Sequence, residues 1–292
     1  MPRIKYEEYA PKRATLELIA EANRIVQTYT AEGYSLTLRQ LYYRLVAANT
    51  IPNNQRSYNR LGSILNRARL GGLVDWEALE DRTRMLRGVR TYESVSEALS
   101  EAAGRFYMDV WAHQPNRVEV WVEKDALLDI VQRACVNERV DFFSCRGYTS
   151  ASEMWKAAQR HADYEHRGQD VIVLHLGDHD PSGLDMTRDI EERLWKFGAE
   201  TYVRRIALNM DQIRAYRLPP NPAKLTDSRS DAYIGEHGRS SWELDSLEPD
   251  VLSELIATEI EAYRQDEEWQ EAIATEDKHR RAIQSFANTY RG

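Results

Sequence analysis

Short apolar runs alternate with helix-like segments between residues 117 and 196, and few folds accommodate that order. The runs are rich in Val, Ile, Leu and Phe, and the segment after each carries apolar residues at helical spacing. Strands are predicted at 118–122, 140–143 and 170–176, and helices at 126–134, 151–162 and 184–195. Because strands that are apolar throughout are buried on both faces, the pattern predicts a parallel sheet with helices on each side.

Three further helices are predicted ahead of this region. Residues 12–31 repeat apolar side chains at helical spacing. A second helix follows the cap signal in Ser35-Leu-Thr37 and ends near Pro52, and a third runs from Ser57 to Leu70, before two glycines. The two short helices with the polar turn between them indicate a helix-turn-helix, and residues 73–76 are the candidate wing.

The fold class predicted for the chain is α/β, with an N-terminal winged-helix domain, a parallel α/β domain and a helical C-terminal extension. The C-terminal helices are expected around Val251–Tyr263 and Glu268–Tyr290. The predicted boundaries are a DNA-binding winged helix over 1–90, a helical linker over 91–116, a metal-binding domain over 117–218 and an extension over 219–292.

Charge is unevenly distributed along the chain. The net charge of −8 speaks against a nucleic-acid partner, but residues 1–90 hold 15 Lys and Arg against 9 Asp and Glu. Within the third helix, Arg56, Arg60 and Arg67 line one side, and no acidic residue accompanies them. Such a face can follow a phosphate backbone or enter a major groove, and a solvated helix surface is the alternative. The acidic C-terminal region is expected to face away from DNA.

Composition restricts the cellular setting. Hydrophobic residues make up 42% and charged residues 29% of the chain, and no run approaches the ~18 apolar residues that a membrane helix needs. No apolar segment follows the N-terminal charges, so a secretory signal is not expected. The two cysteines, Cys135 and Cys145, form no CxxC pair, which favours a cytoplasmic location over a disulfide framework or a structural zinc site.

Three carboxylates are predicted at the carboxyl ends of two strands. Glu123 follows the first strand, and Asp178 and Asp180 follow the third in Gly177-Asp-His-Asp-Pro-Ser-Gly183. Clustered carboxylates repel one another unless a cation offsets them, and oxygen ligands of this kind suit Mg²⁺, with Mn²⁺ as a substitute. An Asp-x-Asp pair is also common in turns. His179 is expected to point to the other side of the turn, with a ligand role as the alternative.

These motifs resemble those of the Toprim domain in the A subunit of DNA topoisomerase VI and in its relative, the meiotic double-strand-break transesterase. The resemblance rests on Val122-Glu-Lys-Asp-Ala126, Arg146-Gly-Tyr148 and Asp178-His-Asp-Pro-Ser-Gly183, and covers roughly residues 35–215. That family places a winged helix ahead of the Toprim domain, with a catalytic tyrosine in an Arg-x-x-Tyr-Tyr motif. Arg39-Gln-Leu-Tyr42-Tyr43 stands in the matching place.

The resemblance implies a role for each matching residue. Glu123, Asp178 and Asp180 are expected to hold Mg²⁺, Tyr43 to attack the phosphodiester, Arg39 to assist it and Glu123 to help proton transfer. It also implies a homodimer that pairs the tyrosine of one subunit with the metal site of the other, and a separate ATPase subunit if DNA is passed through the break. The residues expected to contact DNA are Arg44, Arg56, Arg60, Arg67, Lys124 and Tyr148.

Helix geometry separates the two neighbouring tyrosines. At 100° per residue from Leu38, Tyr42 falls on the apolar face of its helix, whereas Tyr43 and Arg39 fall at 140° and 100°, away from it. Tyr42 is therefore predicted to be core, and Tyr43 to stand off the core beside Arg39, as a nucleophile would. An ordinary exposed tyrosine beside an arginine is the alternative.

Three functions are compatible with these features. The first is Mg²⁺-dependent double-stranded DNA cleavage by tyrosine transesterification, which leaves a 5′-phosphotyrosyl break, as in a topoisomerase VI A-like isomerase. The second is a Toprim nuclease that hydrolyses DNA with a metal-activated water, and the third is a non-catalytic winged-helix DNA-binding module. The family's Gly-Tyr-Pro-Asp segment is here Gly147-Tyr-Thr-Ser150. Glu243 and Asp245 are interpreted as a surface cap, with membership of the acidic site as the alternative.

Overall fold

The architecture is taken from a computed structural model that describes residues 3–31, 33, 36–79, 89–222 and 229–290. Ser35, part of the predicted cap signal, lies outside these residues. In chain order the elements are α1 Arg13–Ala31, α2 Leu38–Ala47, α3 Gln55–Leu70, α4 Val95–Gly104, β1 Asn116–Val122, α5 Leu128–Asn137, β2 Asp141–Ser144, α6 Ala151–His166, β3 Asp170–Leu176, α7 Pro181–Lys196, β4 Tyr202–Ala207, α8 Met210–Ala215, β5 Asn221–Pro222, α9 Ser230–His237, β6 Ser240–Ser241, α10 Pro249–Glu261 and α11 Asp266–Thr289.

The four longer strands form a parallel sheet in the order β2-β1-β3-β4. The three predicted strands are confirmed, and the helix after each lies within a few residues of its predicted bounds. β4 is the strand that the apolar pattern does not indicate. Two arginines, Arg204 and Arg205, interrupt its apolar run, and each has a specific partner: Arg204 pairs with Glu259 of α10, and Arg205 bonds to carbonyls below the candidate site.

Both faces of the sheet are covered, as the apolar strands predict. Val118, Val120 and Val122 pack with α5 and α10 on one face, whereas Trp121 packs with α6 and α7 on the other. Successive residues of a strand point to opposite faces, so β1 contributes to both cores. The α/β class with a four-stranded parallel sheet is therefore confirmed, and this architecture is compatible with a Toprim-like domain.

The N-terminal helices form their own apolar cluster, centred on Leu41, Leu45 and Leu61. Thr37 begins α2 through a reciprocal capping box with Gln40, and Asn54 caps α3, so both helices start at residues whose side chains accept backbone N–H groups. Residues 73–79 form single bridges and turns rather than strands. The helix-turn-helix pair is present, but the winged helix is not confirmed.

The C-terminal region is helical, as predicted. α10 packs against α5 and β4, and α11 lies along α4, where Ser96 donates to the carbonyl of Ala287. Helix α4 falls in the predicted linker, so the linker is paired with the last helix of the chain. Among the helices that the structure describes, none is both long and apolar enough to cross a membrane.

Candidate active site

Two neighbouring strands bring Glu123 and Asp178 together. Val122 and Leu176, the last residues of β1 and β3, are register partners, so the residues that follow them meet at one edge of the sheet. The backbone N–H of Asp178 donates to Oε2 of Glu123 at 2.9 Å. Gly177 permits this approach, because a Cβ atom there would lie 3.0 Å from that same oxygen. The predicted meeting of the two strand ends is thus observed.

Asp180 is engaged in the local structure of the turn. Its Oδ1 accepts the N–H of Gly183 at 2.7 Å and the hydroxyl of Ser182 at 2.8 Å, which makes it the N-cap of α7. Its charge still acts on Glu123, whose pKa is raised, first by burial and also by Asp180. His179 points away, as expected, and its Nδ1 lies 2.9 Å from the hydroxyl of Tyr233.

The acidic group that could hold a metal ion consists of Asp178, Glu243 and Asp245, named here the acidic triad. One carboxylate oxygen from each lies within 4.8 Å of the others, and Asp178 and Asp245 are buried. Oxygen donors in this number suit a hard divalent cation. The interpretation of Glu243 and Asp245 as a surface cap is wrong, since both side chains belong to the interior of the site.

An antiparallel bridge carries the two later residues into the site. His179 and Trp242 exchange both backbone hydrogen bonds, at 2.8 and 3.0 Å. The N–H of Leu244 then donates to Oδ1 of Asp178 at 2.8 Å, which fixes the start of the 3₁₀ turn Leu244–Ser246. The sequence signal here is that the apolar residues Trp242, Leu244 and Leu247 flank the two acids, which indicates a packed segment but does not identify what it packs against.

Lys124 is the cation at the centre of the acidic triad. Its Nζ lies 2.7 Å from Asp178 and 2.9 Å from Asp245, and it also pairs with Glu243. Burial opposes the charge on Lys124, but the three carboxylates outweigh that effect and raise its pKa. Burial and the neighbouring carboxylates raise the pKa of Asp178 to about 8 in spite of the lysine. Lys124, predicted to contact DNA, is thus an internal counter-ion here.

Arg39 and Tyr43 adjoin the same group from α2. The guanidinium of Arg39 lies 3.1 Å from Glu243 and 3.3 Å from Asp245, and its charge favours the ionised form of the Tyr43 phenol, one turn along the helix. The expectation that Tyr43 stands clear of the core is wrong, because only 5% of it is exposed. Burial, followed by the charge of Glu243, raises its pKa to about 12. The face of α2 opposite its own core is covered by residues 243–248, which helix geometry alone does not reveal.

Arg44, expected to contact DNA, is turned inwards. Its guanidinium donates to the carbonyls of Ser246 and Leu247 and pairs with Glu248. Burial lowers the pKa of Arg44 to about 10. In this arrangement the side chain is an anchor between α2 and residues 246–248, and it is not accessible to a nucleic acid.

The remaining predicted contact residues lie on the surface. Arg56, Arg60 and Arg67 are exposed on one face of α3, and Arg67 also stacks on the ring of Tyr9. Tyr148 is 43% exposed, and its hydroxyl donates to Asp185 at 2.6 Å.

Comparisons with protein-family models, curated proteins and solved structures gave no match. The fold and the site thus define an α/β protein with an acidic triad beside a basic helical region.

Proposed function

We propose that this protein cleaves the backbone of double-stranded DNA at the acidic triad, with Mg²⁺ as the resident cation and Tyr43 as the nucleophile. The observation that supports the proposal is the convergence of Tyr43, Arg39 and the triad. Arg39 and Tyr43 lie one turn apart on α2, and Arg39 pairs with Glu243, 204 positions later in the sequence, and with Asp245. A nucleophile, a cation for developing charge and a carboxylate cluster are the parts that phosphoryl transfer requires.

Asp178, Glu243 and Asp245 are the residues that would hold the cation, with Glu123 beside them. A bound divalent cation would stabilise negative charge on the phosphate oxygens. In the reaction the phenol of Tyr43 gives up its proton to water, its oxygen bonds to phosphorus, and the bond from phosphorus to the 3′ oxygen breaks. The 3′ oxygen leaves as a hydroxyl, with its proton supplied by Glu123, whose raised pKa favours the protonated form.

The electrostatics of Tyr43 set a condition on this mechanism. A phenol with a pKa of about 12 is almost entirely protonated at neutral pH, and the carboxylate of Glu243 contributes to that shift. Neutralising the acidic triad would therefore lower the pKa of Tyr43. Attack also requires the phenol to become accessible to the phosphate, because only 5% of Tyr43 is exposed.

Hydrolysis by an activated water is the second candidate, and the burial of Tyr43 favours it. Glu123 and Glu243 are partly exposed, so this mechanism does not require the buried phenol of Tyr43 to become accessible. In that mechanism the products carry no protein, and Tyr43 is a buried structural residue of α2.

Incubation of supercoiled plasmid with the protein and Mn²⁺ tests both candidates. Products are separated in denaturant with and without prior protease digestion. We expect nicked or linear DNA that enters the gel normally only after digestion, and loss of this product with Tyr43→Phe, Asp178→Asn and Glu123→Gln. Protein-free products that persist in Tyr43→Phe but vanish in Asp178→Asn would establish hydrolysis instead. Cleavage that survives Asp178→Asn contradicts both mechanisms.

A further inference from the structure

Helix α2 docks onto a later segment of its own chain. Arg44 donates two hydrogen bonds to backbone carbonyls of the turn that follows the triad residues, those of Ser246 and Leu247. Its side chain is 7% exposed, so the contact is sheltered from water. Breaking such a pairing leaves a buried charge uncompensated and is strongly unfavourable. Residues 244–248 therefore form a rigid packing surface for α2.

A continuous series of ion pairs runs from Arg39, one helical turn before the candidate nucleophile Tyr43, to the end of β3. Arg39 pairs with Glu243, Glu243 pairs with Lys124, and Lys124 lies 2.7 Å from Asp178. Every group in the series belongs to one chain. No partner subunit is needed to bring the tyrosine next to the acidic triad.

We propose that each chain completes its own site, with Tyr43 and Arg39 serving the acidic triad of the same polypeptide. Glu243 and Asp245 act as positioning residues that hold Arg39, and through it Tyr43, beside Asp178. This contrasts with the arrangement that the family resemblance implies, in which the tyrosine of one subunit serves the metal site of the other. The catalytic part of the inference rests on the proposed function, whereas the intrachain pairing rests on the contacts alone.

A single complete site per chain has a consequence for the products. Two tyrosines that each serve the partner's metal site require a dimer for any cleavage. A site completed within one chain cuts one strand by itself, so a monomer would nick the plasmid, and linear DNA would accumulate only from paired events.

The first test is complementation between inactive chains. Tyr43→Phe and Asp178→Asn are co-expressed with different affinity tags, and the material carrying both tags is compared with doubly tagged wild type in the Mn²⁺ assay. A site completed within one chain predicts nicking at least about tenfold below wild type, because each chain lacks one part. Recovery to about half of the wild-type rate would show that sites are shared between chains and would overturn the proposal. Failure to recover any doubly tagged material from wild type shows a monomer, which supports it.

The second test needs no activity. Ala47 and Asp250 are exposed and line the same groove of about 390 Å³ between α2 and the start of α10, and neither takes part in the ion-pair series. The double variant Ala47→Cys/Asp250→Cys is treated with bismaleimides of increasing length. The matched control is an equal mixture of the two single variants, and the unsubstituted protein controls for Cys135 and Cys145, which are buried.

We expect the double variant to form an intrachain cross-link that migrates as a monomer and is identified by mass spectrometry, and the mixture to form no dimer. A covalent dimer from the mixture would overturn the intrachain pairing. Because this readout is independent of catalysis, an inactive wild type would reject the proposed function while the cross-link still decides which chain seats α2.

Discussion

Lys124 shows how a single residue sets the properties of the candidate site. Its ammonium contacts all three carboxylates of the acidic triad and is 17% exposed, so it supplies from within the chain part of the charge compensation that a metal ion would bring. A cation that enters the triad must therefore compete with Lys124. The affinity for a metal ion therefore depends on how much better the metal than Lys124 stabilises the three carboxylates, and not on the carboxylates alone.

Replacement of Lys124 by Met should separate these two roles. Without the ammonium, the three carboxylates of the triad repel one another. We therefore expect the free energy of unfolding to fall by about 3 kcal/mol in the absence of metal. The same change should tighten Mn²⁺ binding about tenfold or more, because the internal competitor is gone. Urea denaturation and calorimetric titration measure the two effects, and Lys156→Met, on the exposed face of α6, is the control. Weaker Mn²⁺ binding in Lys124→Met would contradict the role as competitor.

The raised pKa of Asp178 predicts pH-dependent metal binding. With a pKa of about 8, Asp178 is largely protonated at pH 6, and a cation must displace that proton. Affinity for Mn²⁺ should therefore rise with pH, by up to about tenfold per unit, and level off above pH 8. Titrations at pH 6, 7, 8 and 9 check the slope. Asp178→Asn should bind more weakly, with a flatter dependence, and a flat profile in the wild type would show that Asp178 is already ionised.

At the scale of elements, β1 and α6 are joined by a buried ion pair on the face of the sheet away from the triad. Glu119, which is 2% exposed, accepts two hydrogen bonds from Arg160 and one from the indole of Trp121. Burial opposes the charge, but the neighbouring His161 and Arg160 outweigh it and lower the pKa of Glu119 well below its usual range. This pair fixes how α6 lies on the strand.

Glu119→Gln is expected to destabilise the protein in a pH-dependent way. A carboxylate whose pKa is depressed by folding contributes stability above the pKa of the unfolded chain, about 4.3, and loses it as the pH falls further. We expect a loss of about 2–3 kcal/mol at pH 7 that begins to shrink as the pH falls below about 4.3 and continues to shrink toward the depressed pKa of the folded protein. Urea denaturation between pH 7 and 3.5 measures it, with the exposed Glu153→Gln as the control. A loss that does not change with pH would assign the effect to packing.

The elements that could be predicted from the sequence are those whose burial follows a regular period. β1 and β3 are mostly apolar, β2 centres on Phe142 and Phe143, and α2 and α3 begin at capping side chains, so the local pattern predicted these elements. β4 and the triad residues Glu243 and Asp245 could not be predicted. Their polar side chains bind specific partners elsewhere in the chain. Hydrophobic periodicity carries no information about contacts between residues that are distant in sequence.

On the scale of the whole molecule, the net charge of −8 does not show that the arginines of the N-terminal helices fall into two groups, one paired with acidic residues and one exposed. Of the arginines in the acid-free stretch 33–72, Arg39 and Arg44 are committed to the acidic segment 243–248. The exposed ones, Arg56, Arg60 and Arg67, remain as a face on α3. The acidic C-terminal region is therefore not turned away from the basic helices as a whole, because one of its segments packs directly against α2.

Substitution of Arg56, Arg60 and Arg67 by Ala should weaken DNA binding in a salt-dependent way. If all three contact phosphates, the slope of log affinity against log salt concentration falls by about 2.7. Sequence preference should change little, because phosphate contacts carry no base information. Fluorescence anisotropy at several salt concentrations measures the slope. The triple control Arg13→Ala, Arg167→Ala and Arg281→Ala removes the same charge from exposed positions elsewhere, and an equal loss of slope there would show that no particular face binds DNA.

The bridge between His179 and Trp242 also has a consequence during synthesis of the chain. The basic helices and the four-stranded sheet are made before the ribosome reaches Glu243 and Asp245, so a growing polypeptide has Lys124 and Arg39 without the two later acids. The acidic triad can form, and residues 243–248 can pack against α2, only after Glu243 and Asp245 have emerged from the ribosome. We therefore expect the exposed arginine face of α3 to form in a nascent chain well before the acidic triad is complete, so that under the proposed function DNA binding would precede any capacity for cleavage.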